Sequence, residues 1–341
     1  HLETALPFEG IQSAQWKVWD QKECLHPQAG AECDRIVSAH TVQRARVLGS
    51  LIDDQKHVLT FRRVRLDLSG QSPEPRRVGW QVASTISGFC AKHDAATFAV
   101  LETQPFDGGL GQCFLLGYRG LCYEVYQKQG VLRAAPAVQH LVDRGRSPAE
   151  QRRIQRAESV SAAGARHGLE QMKALKSVMD SQLLAGAYTG WSRLVLRFRG
   201  DLCVAATGAV APNRDLDGRV LQVLHDPSAK LARLMCGVTA DDGGGAIVLF
   251  WSASDEPQKR FVESVLSRGQ DAVPGLLVQF LFVHLENTYF SSRWWNALEA
   301  DDRRHLARLA MVMNPYYEPF TYEQRRLVPW DIVDLTVEHA A

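Results

Sequence analysis

Four residues in the first third of the chain carry its clearest chemistry: Cys24, Cys33, Cys90 and His93. Cys24 and Cys33 flank eight residues that include Pro27 and Gly30, a composition that turns back and can bring both thiols toward one point. Cys90-Ala91-Lys92-His93 is a C-x2-H pair. At the start of a helix that spacing puts both side chains on one side of the first turn. Three thiolates and one imidazole satisfy tetrahedral zinc, and these donor types favour zinc over magnesium or calcium. The expected chemistry is a structural zinc site. His26, two residues from Cys24, or His40 could replace one of the four. The competing reading is four unrelated residues: two surface or buried thiols, a core cysteine and a solvent-facing histidine.

The elements that must position these residues come next. Val42, Ala45, Leu48, Leu51 and Ile52 recur at helical spacing across 41–53, and Lys56–Leu68 alternates like a half-buried strand. Ser69–Arg77 is a loop by composition. Thr85–Leu101 reads as a turn running into a helix, with Phe89, Ala96, Phe98 and Leu101 apolar. Phe114–Gln127 suits a buried helix despite two glycines. Ser147-Pro148-Ala149-Glu150 is the strongest helix start, with Ser147 as N-cap, Pro148 first in the helix and Glu150 closing a capping box. That helix is expected to run through 151–184, with a break near Gly164 and Gly168. Beyond it, 194–198, 202–210, 231–238 and 246–251 are strand-like, followed by helical patterns over 257–267, 273–285 and 294–313. Strands followed by helices argue for α+β.

The bulk numbers agree with a globular protein. The chain has 341 residues, 45% hydrophobic and 23% charged, too long for one small core. A formal net charge of +1 provides no global field for nucleic acid or membrane, so any nucleic-acid site must be a local patch. No apolar run is long enough to span a bilayer. Seven cysteines is an odd number for a disulfide framework. Cys113, Cys122, Cys203 and Cys236 lie in apolar runs and read as buried thiols. His1-Leu2-Glu3 has neither a Met nor a basic-then-apolar leader and reads as a trimmed terminus. A cytoplasmic location is expected.

The segment from about residue 20 to 100 resembles the treble-clef zinc module of HNH endonucleases. The likeness rests on the first ligand pair, the strand Ile36-Val37-Ser38-Ala39-His40 and the second pair within Gly88-Phe89-Cys90-Ala91-Lys92-His93-Asp94. It implies His40 as general base and Asp94 as a ligand for a catalytic cation, magnesium or manganese, beside the structural zinc. The departure from that pattern is an asparagine: residues 1–100 contain none. His93, on the helix, is already spent on zinc. A capping or core hydrogen-bonding histidine is the competing role for His40. The chain also resembles uncharacterised bacterial proteins of mobile or phage-defence loci, through Ser38–Gln43, Gly88–Asp94 and His284–Trp295.

Other constellations are weaker. Arg144, Arg146, Arg152, Arg153, Arg156, Arg166, Lys173 and Lys176 could meet phosphates, or form an ordinary solvated helix face balanced by Glu150, Glu158 and Glu170. Arg62, Arg63, Arg65, Arg76 and Arg77 form a second cluster. His284, Glu286, Asn287, Tyr289, Trp294 and Trp295 read as core anchors before a pocket. Asp241–Gly245 lacks a P-loop's Lys and reads as a turn. The expected architecture is α+β: an N-terminal treble-clef-like zinc domain over 1–140, a helical connector over 141–190 and a C-terminal mixed α+β domain over 191–341. Two functions compete. One is a nucleic-acid-directed, HNH-like endonuclease acting on DNA or RNA. The other is a non-catalytic, zinc-stabilised binding or sensor protein whose C-terminal domain recognises a protein partner. Neither involves a membrane.

Overall fold

A computed structural model describes residues 15, 18–61, 74–224, 226, 228–312 and 320–340. The opening tripeptide, Trp16, Arg62, Arg63, Arg65, most of the 56–68 pattern, the first part of the 69–77 loop and Met313 lie outside the described residues. The architecture is mixed α+β, with eight α-helices and antiparallel sheets among the described residues. None of the described helices is long and apolar enough to cross a membrane.

The chain divides into two compact units, each assembled from separated stretches: His1–Ala39, Ile86–Asp94 and Cys122–Leu184 in the first, the remainder in the second. In the first unit, strand β1 (Ile36–His40) pairs with β4 (Thr85–Cys90) in a two-stranded sheet. Ala91 N donates to the Arg35 carbonyl at 3.0 Å and Thr41 N to the Ser84 carbonyl at 2.8 Å, so the strands run antiparallel. Thr85–Cys90 is therefore a strand rather than the expected turn, because a partner 50 residues upstream offers it a ladder. Helix α2 (Ala91–Thr103) follows directly. Ile86, Tyr123 and Tyr126 make a small core here, with Leu25 packed on it.

The capping box at Ser147 forms as expected: Ser147 Oγ and N both meet Glu150 Oε2, at 2.7 and 3.0 Å. The helix it opens, α4 (Pro148–Ala185), runs unbroken through Gly164 and Gly168. Each glycine costs about 1 kcal/mol relative to Ala. Burial of Ala165, Leu169, Met172 and Met179 along one face offsets that.

The second unit is built on an eight-stranded antiparallel sheet in the order β10-β5-β8-β7-β6-β9-β2-β3. Its members are β2 (His57–Thr60), β3 (Arg76–Gly79), β5 (Trp191–Arg199), β6 (Val204–Val210), β7 (Leu234–Asp241), β8 (Gly244–Ser252), β9 (Thr288–Phe290) and β10 (Asp331–Glu338). The Asp241–Gly245 turn joins β7 to β8, with Asp241 opposite Gly244. One face of the sheet, with Leu194, Leu196, Ile247 and Leu249, faces a large apolar core. That core takes in the buried helix α6 (Val273–His284), apolar but for Gln279 and the terminal His284, with Phe290, Trp294 and Trp295. The opposite face receives helix α3 (Leu110–Gln139), whose N-terminal part, through Leu121, belongs to this unit. Gly117 and Gly120 permit that approach, since a Cβ on Gly120 would stand 2.8 Å from the Gly208 carbonyl oxygen. With both faces covered, these strands read as continuous apolar runs.

Two helical expectations shift. The 41–53 pattern begins only at Arg44, with one π-helical turn (Arg44–Leu48) leading into α1 (Gly49–Leu51). The Leu48 N to Gln43 O bond of 3.0 Å closes that turn. The 294–313 pattern is two helices, α7 (Ser292–Ala297) and α8 (Ala300–Ala310), parted by extended backbone at Leu298 and Glu299. Arg303 Nη1 donates to the Leu298 carbonyl at 2.7 Å, satisfying a group that the break frees. The last helix of the unit, α5, spans Glu256–Leu266. Asn287 is buried and donates to Thr41 Oγ1 at 2.8 Å, while Tyr289 OH accepts from Ser84 N at 2.7 Å. The 284–295 stretch is thus core and scaffold, as its tryptophans suggest.

Candidate metal centre

The Cys24–Cys33 loop is built to present sulfur. Glu23 N and Leu25 N donate to the carbonyls of Ser87 and Gly88 at 3.2 and 2.9 Å, anchoring the loop along β4. Gly30, at φ 148°, turns the chain where a side chain would be strained. Gly30 N then points at Cys33 Sγ, 3.4 Å away. At the far end of β4, Cys90 Sγ accepts the His93 N–H at 3.4 Å from the first turn of α2. Asp34 Oδ1 accepts the Lys92 N–H at 3.1 Å, and Lys92 Nζ meets Glu32 at 2.8 Å, tying loop to helix.

The four predicted ligands converge. His93 Nδ1 lies 3.5 Å from Cys24 Sγ, 3.6 Å from Cys33 Sγ and 3.2 Å from Cys90 Sγ. All four ligand atoms fall within 4.8 Å of one another. A tetrahedral zinc with Zn–S of about 2.3 Å and Zn–N of about 2.0–2.1 Å requires S···N separations near 3.5–3.6 Å. The His93–sulfur separations match that ion with a small adjustment at Cys90, and the cluster could hold zinc. Burial pushes the Cys24 thiol up to about 11, against the backbone N–H groups of Cys90 and His26 that favour its thiolate. A divalent cation supplies the charge that reverses this balance. The Gly30 N–H holds the half-buried Cys33 thiol below its ordinary value.

His26 is not in the ligand group. Its ring stacks on His93, with centroids 4.1 Å apart and planes 11° from parallel. Its Nδ1 accepts the Gln28 N–H at 3.2 Å. Burial, then the neighbouring His93 and Lys176, push its pKa down to about 4, so the ring is neutral near pH 7.

His40 closes β1 and belongs to the second unit, half-buried. Its Nε2 donates to the Trp80 carbonyl at 3.4 Å. Burial holds its pKa below the ordinary histidine value against that carbonyl, with Arg44 and Arg119 adding to the depression and Glu102 opposing it. Arg119 is itself buried, paired with Glu102 at 2.8 Å and laid over the Phe98 ring. Asp94 follows His93 in the first turn of α2, half-buried. Among the described residues, no group of three or more metal-ligating side chains includes His40 or Asp94.

Sequence reasoning missed one participant. Lys176, counted above with the cations of a solvated helix face, is 7% exposed and reaches into the first cysteine loop. Its helical position, 240° around from Arg152 at 100° per residue, is the signal that places it on the buried side with Leu169 and Met172. Cys113, Cys122, Cys203 and Cys236 are buried, as expected. No family model, no curated protein and no solved structure matches the chain.

Proposed function

We propose that the Cys24–Cys33–Cys90–His93 cluster is a structural zinc centre, stapling a treble-clef-like module in a nucleic-acid-directed binding protein. The observation that carries this is the convergence of four protein ligand atoms within 4.8 Å. Four protein donors fill a tetrahedral zinc and leave no position for water or substrate, which is the mark of a structural site. The order of parts agrees: cysteine loop, strand β1, strand β4 ending in Cys90, then a helix bearing His93 in its first turn.

The nucleic-acid component rests on α4. Arg152, Arg156, Arg166 and Lys173 are exposed, with no intrachain ion pair shown for them among the described residues. They fall within an arc of about 100° at 3.6 residues per turn, centred about 130° from the buried face, along about 32 Å of helix. Glu170 is the acid in that arc. Four phosphate contacts imply a slope of log K against log salt of about −3.6 for duplex DNA. The test is a binding isotherm for duplex and single-stranded oligonucleotides across a salt series. Arg156→Glu with Arg166→Glu should weaken binding and flatten the slope by about two. Binding that is absent at low salt, or unmoved by the charge reversals, refutes this component.

A second reading is supported by the placement of His40 at the end of β1, beside Arg44 and the Arg119–Glu102 pair. In it the protein is an HNH-like endonuclease, His40 is the base and Asp94 helps to hold magnesium or manganese. Plasmid nicking with either cation, lost in His40→Ala at unchanged zinc content, supports that reading. No cleavage of DNA or RNA with any divalent cation leaves the binding role.

A further inference from the structure

The peptide unit between Leu25 and His26 sits between the metal cluster and helix α4. Its N–H belongs to His26, two residues after Cys24, and favours the Cys24 thiolate. Its carbonyl oxygen accepts from Lys176 Nζ at 2.6 Å. Lys176 is 7% exposed and is also bound by Asp180, one helical turn further on, at 2.8 and 2.9 Å to the two carboxylate oxygens. A buried ammonium is held so closely only where partners repay its lost hydration. Here one partner is the backbone carbonyl of Leu25, the residue directly after the ligand Cys24.

We infer that Lys176 is a positioning residue of the metal centre, acting on the Cys24 sulfur through the Leu25–His26 peptide and making α4 part of the site. A cation on the carbonyl end of an amide polarises it and makes its N–H a stronger donor toward the neighbouring thiolate. A Cys3His zinc carries a net negative charge, since three thiolates outweigh the ion. N–H donation to sulfur spreads that charge. The same contact fixes the turn Cys24-Leu25-His26, which Leu25 N anchors to Gly88 O at 2.9 Å. Outer contacts of this kind typically alter metal affinity by about 10–100-fold. The reverse follows from linkage: metal occupancy holds the Met172–Asp180 stretch of α4 against the loop. This rests on the zinc reading above.

The experiment loads the full-length protein with cobalt(II), whose thiolate charge-transfer band reports on the sulfurs, and competes the cobalt with zinc. Lys176→Met should weaken cobalt and zinc binding about 10–100-fold and move the charge-transfer band. Met179→Ala, which removes a fully buried side chain one helical turn nearly in line with Lys176, is the packing control. It should lower the melting temperature without moving the band. Amide exchange over Met172–Asp180 should slow on metal addition in wild type and much less in Lys176→Met. If Lys176→Met does not fold, Lys176→Gln, which keeps a donor for the carbonyl but no charge, takes its place. Wild type that binds metal with Lys176 variants equal to it overturns the inference while the zinc centre stands. An equal loss in Met179→Ala also overturns it. Failure of the wild type to bind cobalt or zinc removes both.

Discussion

Replacing Cys90 by Ser probes the centre at its most buried ligand. Cys90 is fully buried at the junction of β4 and α2, and its Sγ is the sulfur nearest His93 Nδ1, at 3.2 Å. A hydroxyl sits on a shorter bond and does not ionise near neutral pH, so it neither reaches the ion nor carries the charge. Structural zinc contributes roughly 10–16 kcal/mol to a small module at pH 7. An equal division over four ligands assigns about 3 kcal/mol to each, a loss of about two decades in zinc affinity. The hydroxyl left at this buried position adds roughly 1–3 kcal/mol of unmet hydrogen bonding. Together these approach the whole stability of a typical domain, about 5–15 kcal/mol. The assays are zinc content by elemental analysis, competition against a chromophoric chelator, and thermal unfolding. The variant should lose most of its zinc, and its first unit should melt earlier or fail to fold. Wild-type zinc content with an unshifted melt in Cys90→Ser would refute the reasoning, as would purified wild type with no transition metal.

Three further outcomes follow from the second unit. Because burial holds His40 below the ordinary histidine pKa of about 6.5, the unfolded chain binds more protons there than the folded one in the window beneath that value. Stability should therefore rise with pH up to about 6.5–7 and fall as pH drops through it. The difference between wild type and His40→Gln, followed by denaturant unfolding from pH 7.5 to 5, should shrink toward low pH; a constant difference would contradict this. Asn287→Ala should cost about 1–3 kcal/mol in denaturant midpoint analysis, since it strands buried Thr41 and Thr207 groups that Asn287 now serves. Gly120→Ala, though favourable for an isolated helix, should destabilise by roughly 1–3 kcal/mol, because its methyl would meet the Gly208 carbonyl oxygen. A stabilised variant would mean that α3 can move off the sheet at no cost.

How much was legible in the sequence depends on how local the cause is. The ligand set was readable because donor chemistry restricts it: a turn-rich loop with a cysteine at each end, and a C-x2-H spacing that one helical turn brings into line. The capping box at Ser147, the Asp241–Gly245 turn and the apolar α6 were readable for the same reason, since each is decided within a few residues. The pairing of β1 with β4 across 44 intervening residues was not, because a strand's partner is chosen by the whole fold. Nor was the continuity of α4 through its two glycines, where buried neighbours outweigh a propensity cost. Residue type alone places Lys176 in solvent. Only the tertiary structure folds the Leu25 carbonyl and Asp180 around its ammonium, and so turns a surface charge into a contact of the metal centre.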